Sequence, residues 1–367
     1  MMADQCGVRL CIAGGGTGGH VMPALALADA VRERWSHVQV DFIGAERGLE
    51  ATLLPERGED VLLLEMHAVQ GVSLLHKLRV LLWEMPLAVF QIRRRWKQQR
   101  PDVLVGVGGY ASATGVMAAL LSGVPVVLYE QNAVPGLVNR NLARFCQKVM
   151  LGFSEAAEHL PRVSCIHTGN IVRHVIHKVA WQQHTPPCLL VMGGSQGALF
   201  LNKQVPQACE VLKREGLAFR VLHVCGHYQH PRERLLKQYK DVGIEAEVMT
   251  FCEDMPDFYR QGDLMIARSG AMSVSEAMVV GMPCLFVPLP HAADQHQMLN
   301  AQSLSQHGAA ICLDQSVTSV QTLADTLRQT LCQPEMLNKM NKITHQLAKK
   351  DAKACQLAVL AMWLERE

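Results

Sequence analysis

The sequence predicts an α/β protein made of two doubly wound parallel-sheet domains. Short β-rich apolar runs alternate with helix-period segments along almost the whole chain. Three of those runs end in glycine-rich turns, at 14–19, 106–109 and 193–197. The length, 367 residues, also exceeds the roughly 250–300 residues beyond which one hydrophobic core stops growing.

In the first half, strands are expected at 9–13, 39–43, 60–64, 103–107, 124–129 and 148–151. Helical patterns separate them at 24–34, 48–57, 74–99, 111–122 and 135–144. In the second half, strands are expected at 188–192, 219–224, 246–250, 264–267, 284–287 and 309–313. The intervening helices fall near 198–215, 231–241, 254–261, 273–280, 294–307 and 318–331. Pro161, Gly169, Pro186 and Pro187 punctuate the boundary, and 181–185 reads as a linker. The expected division is 1–165, 166–345 and a terminal segment 346–367. Sheets of this kind bind ligands beyond the carboxyl ends of their strands, so a cleft faced by both domains is the expected site.

Composition narrows the class. Apolar residues make up 49% and charged residues 19%, the balance of a soluble globular protein. A net charge of +2 argues against a general nucleic-acid binder. The twelve cysteines form no C-x-x-C pair, and most sit in apolar patterns. They read as buried thiols in a reducing compartment, not as disulfides or a zinc site. Asp4 and Gln5 ahead of the first strand do not suit a signal peptide. No window has the apolar length of a membrane-spanning helix.

The first glycine turn is Ala13-Gly14-Gly15-Gly16-Thr17-Gly18-Gly19-His20. A strand, a glycine turn and a helix N-terminus together make an anion site, because backbone N–H groups and the helix dipole face the ligand. Glycines let the backbone approach a phosphate. His20 adds a titratable ring beside it. No G-K-[ST] is present, which excludes a P-loop. Gly14, Gly16 and Gly19 match G-x-G-x-x-G, but Asp41 lies inside the second strand rather than at its end. A tight turn without ligand is the plain alternative.

The second and third turns, Gly106-Val107-Gly108-Gly109-Tyr110 and Gly193-Gly194-Ser195-Gln196-Gly197-Ala198, repeat the arrangement. A ligand with two phosphates, or two phosphate-bearing ligands, would explain all three. Arg268-Ser269-Gly270-Ala271-Met272-Ser273-Val274-Ser275-Glu276 follows a strand and opens a helix. Glu276 could accept both hydroxyls of a ribose, or cap that helix. Glu130-Gln131-Asn132 also follows a strand, with surface turn residues as the plain alternative, and the polar run around Asp294-Gln295-His296-Gln297 follows another, with a polar helix start as its alternative. At 74–100, apolar residues from Leu74 to Ile92 are interleaved with Lys77 and Arg79, and Arg93, Arg94, Arg95, Trp96, Lys97 and Arg100 close the stretch. Such a stretch suits an anionic membrane surface or a core-packed helix with a basic solvent face.

Taken in order, these motifs together with Gly169-Asn170-Ile171-Val172-Arg173 resemble the MurG family of N-acetylglucosaminyltransferases over nearly the whole chain. The resemblance implies a GT-B fold of two Rossmann-like domains, with 346–367 as a helix returning to the first. It implies inverting transfer of N-acetylglucosamine (GlcNAc) from UDP-GlcNAc to the 4-hydroxyl of undecaprenyl-pyrophosphoryl-MurNAc-pentapeptide, lipid I, giving lipid II for peptidoglycan synthesis. His20 matches the proposed general base. Thr17, Gly18 and Gly19 would serve the reacting groups near the pyrophosphate, and Asn132 would contact GlcNAc. Arg173 and Ser195, with the 194–197 amides, would hold the UDP diphosphate, and Cys252 would pack on uracil. Ala271, Met272, Ser273, Val274, Ser275 and Glu276 would bind diphosphate and ribose, Glu276 on the ribose, and Gln297 would reach the sugar hydroxyls. The 74–100 region would face an anionic membrane, peripheral at the cytoplasmic face of the bacterial inner membrane.

The sequence departs from the family at two places. Tyr129 stands where a histidine is expected, and Ala111-Ser112-Ala113-Thr114 replaces a glycine- and proline-rich continuation. With no D-x-D motif, activity without a cofactor or active-site metal is expected. A nucleotide-sugar epimerase, another lipid glycosyltransferase or a non-catalytic binder would share parts of this pattern, and product analysis separates them.

Overall fold

A computed structural model describes residues 7–16, 18–66, 79–194, 196–227, 232–290, 292 and 295–365. Thr17, Ser195, His291, Asp294 and the 74–78 part of the basic stretch lie outside the described residues. The chain forms two compact units, Met1–Ile171 with Asp351–Glu367, and Val172–Lys350.

The first unit runs β1 (Arg9–Ala13), α1 (Gly18–Arg34), β2 (Gln39–Ala45), α2 (Glu50–Glu56), β3 (Asp60–Leu64), a π turn (Val80–Glu84) leading into α3 (Met85–Trp96), β4 (Val103–Gly106), α4 (Gly109–Ser122), β5 (Val126–Glu130), α5 (Leu137–Leu142), β6 (Lys148–Leu151) and β7 (Cys165–His167). Its parallel sheet has the order β3-β2-β1-β4-β5-β6-β7. Strand period two explains the layering. Leu10 and Ile12 enter one core with Val105, Val127 and Tyr129, while Cys11 and Ala13 enter the other with Leu104, Val126 and Leu128. Both faces are covered, so the strands read as continuous apolar runs.

The second unit runs β8 (Cys188–Met192), α6 (Leu199–Arg214), β9 (Arg220–Val224), α7 (Arg232–Asp241), β10 (Glu245–Met249), α8 (Met255–Arg260), β11 (Leu264–Ala267), α9 (Ala271–Val280), β12 (Cys284–Phe286), α10 (His296–Ser305), β13 (Ala310–Cys312), α11 (Val320–Leu331) and α12 (Pro334–Leu347). Its parallel sheet has the order β10-β9-β8-β11-β12-β13. Leu189, Val191, Leu264 and Ile266 pack with Leu201, Val205, Leu212, Leu323 and Leu327. The chain then returns to the first unit as α13 (Ala352–Leu364), whose Leu357, Leu360 and Leu364 join the core of Leu10 and Ile12.

Four features differ from the sequence expectation. The edge strand β7 is only three residues, CIH, too short for its pattern to show. Helix α12, opening on Pro334, had no strand beyond it to mark it as an element. Helix α1 starts at Gly18 rather than near 24, because packing overrides the poor helix propensity of glycine. The stretch read as a linker is fastened to the second unit: Trp181 Nε1 donates to Asp263 O at 3.0 Å, and His184 N donates to Asp263 Oδ1 at 2.7 Å.

Buried thiols are found at Cys11, Cys188, Cys209, Cys225 and Cys284, whereas Cys332 is exposed. Burial pushes the Cys188 and Cys209 thiols up to about 12. None of the described cysteines is in a disulfide. Among the described residues, no helix is long and apolar enough to cross a membrane.

Candidate active site

In the first unit, the loop after β1 delivers His20 as the third residue of α1. His20 Nδ1 lies 3.2 Å from Gly15 O. A carbonyl oxygen only accepts, so Nδ1 carries the proton and Nε2 is the basic nitrogen of the neutral ring. The second glycine turn fits against this arrangement. A Cβ on Gly108, which has φ +99°, would sit 2.9 Å from His20 Nε2, and one on Gly109 would sit 2.6 Å from Gly15 O. Glycine at these positions makes room for a histidine and a carbonyl within the protein.

Part of the anion-site expectation changes here. The Gly16 N–H does not point to a ligand; it donates to Glu50 Oε2 at 2.8 Å. A Cβ on Gly15 would collide with the same carboxylate at 2.0 Å. The N–H groups opening α1 at Gly18 and Gly19 are ones the helix itself does not use. Glu50 was not singled out in the sequence. The signal that could have found it is Gly44, a glycine inside a strand, which marks close approach by another group.

Asn132 is half-buried in the turn after β5, and Glu130 fixes that turn. Glu130 Oε1 accepts from Asn132 N at 3.0 Å, and its Oε2 accepts from Gly136 N at 3.0 Å and Asn139 Nδ2 at 2.9 Å. Tyr129 lies beneath this turn, fully buried, and its hydroxyl donates to Asn170 Oδ1 at 3.0 Å. Burial raises its phenol above the ordinary range. The substitution at 129 therefore enters the core. The 111–114 departure does the same, since all four residues are buried in the first turns of α4.

In the second unit, Arg173 and Glu276 come together. Arg173 Nη2 donates to Glu276 Oε1 at 3.2 Å, and Tyr259 Oη donates to Glu276 Oε2 at 3.0 Å. Glu276 lies in the second turn of α9, 9% exposed, too far along to cap that helix. Burial raises its carboxyl, and Arg173 and Tyr259 oppose the rise. Cys252 lies within electrostatic reach of Arg173, although burial and Asp254 push its thiol up. At the start of α9, Ala271, Met272 and Ser273 carry N–H groups that the helix itself does not use. Val274 N already donates to Gly270 O at 3.0 Å, and its side chain is fully buried. Ser275 Oγ donates to Ala271 O at 2.9 Å.

Ser269 Oγ donates to Gln297 O at 2.7 Å, which ties the α9 loop to the first turn of α10. Gln297 Oε1 accepts from Leu289 N at 3.0 Å. In the third glycine turn, Gly197 N donates to Gly194 O at 2.9 Å, so that amide closes the turn itself. A Cβ on Gly197 would lie 2.1 Å from Cys225 O. Asn202 Nδ2 holds the same carbonyl at 2.9 Å. His223 Nε2 in turn lies 3.0 Å from Asn202 Oδ1, and its Nδ1 lies 3.0 Å from the Tyr239 hydroxyl. Tyr259, Asn202 and His223 were not picked out from sequence, because strand and helix patterns absorb them. Among the described residues, no group of three or more His, Cys, Asp or Glu is placed to hold a metal ion.

The 80–96 segment is apolar on two faces. Val80, Ala88, Val89, Ile92 and Trp96 are buried. Trp83, Leu87 and Phe90 form an i, i+4, i+7 stripe 76%, 59% and 64% exposed, followed by Arg93 and Arg94. A core-packed helix with a merely basic solvent face does not describe it.

Residues 10–151 match the N-terminal domain of glycosyltransferase family 28, and residues 188–355 match its C-terminal domain. A protein of Anaeromyxobacter sp. (strain Fw109-5) is 38% identical over 97% of this chain and 95% of its own length. One of Magnetococcus marinus is 39% identical over 96% of each chain. Both are named UDP-N-acetylglucosamine--N-acetylmuramyl-(pentapeptide) pyrophosphoryl-undecaprenol N-acetylglucosamine transferase. The crystal structure of Acinetobacter baumannii MurG is similar with a TM-score of 0.82 and 30% identity, covering 97% of this chain and 99% of that one. A Listeria monocytogenes protein described as a putative UDP-N-acetylglucosamine 2-epimerase shares the fold at 11% identity, with a TM-score of 0.66 and coverage of 98% of each chain.

Proposed function

The chain belongs to glycosyltransferase family 28 and within it to the MurG family, and from that premise we propose how its residues carry out the family reaction. The reaction is inverting transfer of N-acetylglucosamine from UDP-GlcNAc to the 4-hydroxyl of the MurNAc-pentapeptide of lipid I, giving lipid II. The single observation that carries this reading is the match, over nearly the full length of both chains, to relatives named for that transfer.

The donor belongs with the second unit. Glu276, held by Arg173 and Tyr259, accepts hydrogen bonds from the ribose hydroxyls, and Cys252 packs on uracil. The diphosphate lies against Arg173, Ser195, the 194–197 turn and the N-terminus of α9 at Ala271, Met272 and Ser273. Val274 contributes packing, and Ser275 helps shape the helix. Asn132 and Gln297 contact the sugar, while Thr17, Gly18 and Gly19 serve the reacting groups. His20 Nε2 takes the proton of the acceptor hydroxyl as that oxygen attacks the anomeric carbon from the face opposite UDP. The departing diphosphate gains charge, so Arg173 and the helix N-terminus stabilise it more in the transition state than in the ground state. We assign the acceptor and the membrane to the first unit. The stripe of Trp83, Leu87 and Phe90 with Arg93, Arg94 and Arg95 suits an anionic membrane surface. The enzyme then works as a peripheral protein at the cytoplasmic face of the bacterial inner membrane.

The test is product analysis with labelled UDP-GlcNAc and a lipid-linked muramyl pentapeptide. A β-linked disaccharide lipid is expected. Free epimerised sugar, or tight binding without turnover, would refute the proposal.

A further inference from the structure

We propose that Glu50 is a positioning residue for His20 and acts through the peptide group joining Gly15 and Gly16. The proposal rests on the reading of His20 as the base. The two hydrogen bonds described above meet on a single amide: its N–H donates to Glu50 Oε2 at 2.8 Å, and its C=O accepts from His20 Nδ1 at 3.2 Å. A peptide group is planar and conjugated. A carboxylate drawing on its N–H makes its oxygen a stronger acceptor, and hydrogen bonds in such a chain reinforce one another. Glu50 thereby favours the Nδ1–H tautomer and leaves Nε2 basic toward the acceptor. The carboxylate of a Ser-His-Asp triad orients its imidazole directly; here one peptide group stands between. No proton passes along the chain, and only the tautomer and the ring orientation are set.

The surroundings are built for this carboxylate. Glu50 is 0% exposed, and its second oxygen accepts from Ala45 N at 2.9 Å. A buried carboxylate is costly unless its oxygens are engaged. Beyond the collision at Gly15, a Cβ on Gly44 would lie 2.5 Å from Glu50 Cγ, and one on Gly48 2.1 Å from Oε2. Glycines from three segments thus clear the same volume. The other role open to an acidic residue in the first turn of a helix is to satisfy that helix's own N–H groups. Glu50 instead accepts from two segments outside α2.

The experiment labels the full chain with [15N]histidine and reads the ring nitrogens of His20, identified by loss of its signal in H20A. It adds steady-state kinetics and UDP binding for Glu50→Gln. In the wild-type chain His20 is expected in the Nδ1–H form. In E50Q the carboxamide has a single acceptor oxygen for two N–H groups. His20 should shift toward the Nε2–H form and kcat should fall about 10–10²-fold, the usual effect of losing such a support, with UDP affinity unchanged. A wild-type His20 in the Nε2–H form overturns the proposal, and does so whether or not E50Q folds. Loss of kcat in E50Q with the tautomer unchanged also overturns it, since Glu50 would then be structural only. H20A with near-normal turnover refutes the base assignment instead, and the tautomer result then judges the Glu50 link by itself.

Discussion

Replacing Glu276 by Gln separates a nucleotide-binding role from a structural one. The carboxylate is 9% exposed and held by Arg173 at 3.2 Å and Tyr259 at 3.0 Å. The amide keeps the shape and one acceptor oxygen but loses the charge. A hydrogen bond to a charged group contributes about 1.5–3 kcal/mol, so weakening the ribose contact should reduce UDP-GlcNAc affinity about 10–150-fold. Stability should not fall in step. Burial raises the Glu276 carboxyl in the folded chain, so the group stabilises the fold below its unfolded pKa and loses that contribution as pH rises through the folded value. At neutral pH the charge is a net cost, and E276Q should melt no earlier than the wild type. Wild-type affinity should also decline on acidification at a higher pH than an ordinary glutamate would give, whereas E276Q should lack that decline. Calorimetric titration with UDP-GlcNAc, whose diphosphate diester has no proton to lose in this range, reads both effects. Affinity within twofold of wild type at pH 8 would refute the ribose assignment.

Substituting His20 by Ala should lower turnover about 10²–10⁴-fold with donor affinity retained, as expected when a general base is lost; a near-normal rate from folded protein excludes the role. Tyr129→Phe removes the buried hydroxyl that donates to Asn170 and should cost about 1–3 kcal/mol in urea unfolding, with kcat of the folded enzyme close to normal. A collapse of kcat at unchanged stability would instead place position 129 in the acceptor site. Changing Trp83 and Phe90 together to Ser should reduce sedimentation with anionic vesicles by tenfold or more, at about 1.5–3 kcal/mol for each aromatic side chain. Turnover on a water-soluble acceptor should be retained, and undiminished vesicle binding would remove the membrane from the proposal.

Strands such as β8 and β11 were legible to the residue because both faces are buried, which leaves an uninterrupted apolar run between turn residues. The apolar character of 80–96 was legible too, but its division into a buried face and an exposed stripe was not. Sequence shows that Trp83 and Ile92 are apolar without showing which of them meets the core. Tyr259 escaped for a related reason. It sits in a short helix capped by Asp254 and becomes a partner of Glu276 only when 17 residues of chain bring β11 and α9 back past it.

The glycine turns show where motif reading stops. The glycines of the turns at 14–19 and 106–109 suggested a backbone kept bare for phosphate. Yet Gly15 is bare for a carboxylate, Gly108 for an imidazole and Gly109 for a carbonyl oxygen. A missing side chain marks close approach without saying what approaches. In the first unit much of the space these glycines leave is taken up by Glu50, His20 and the Gly15 carbonyl. At the turn 193–197, Gly197 likewise yields to a neighbouring backbone carbonyl, that of Cys225. Enlarging Gly108 to Ala should therefore disturb catalysis through His20, whereas enlarging Gly197 should disturb donor binding through the turn that carries Ser195.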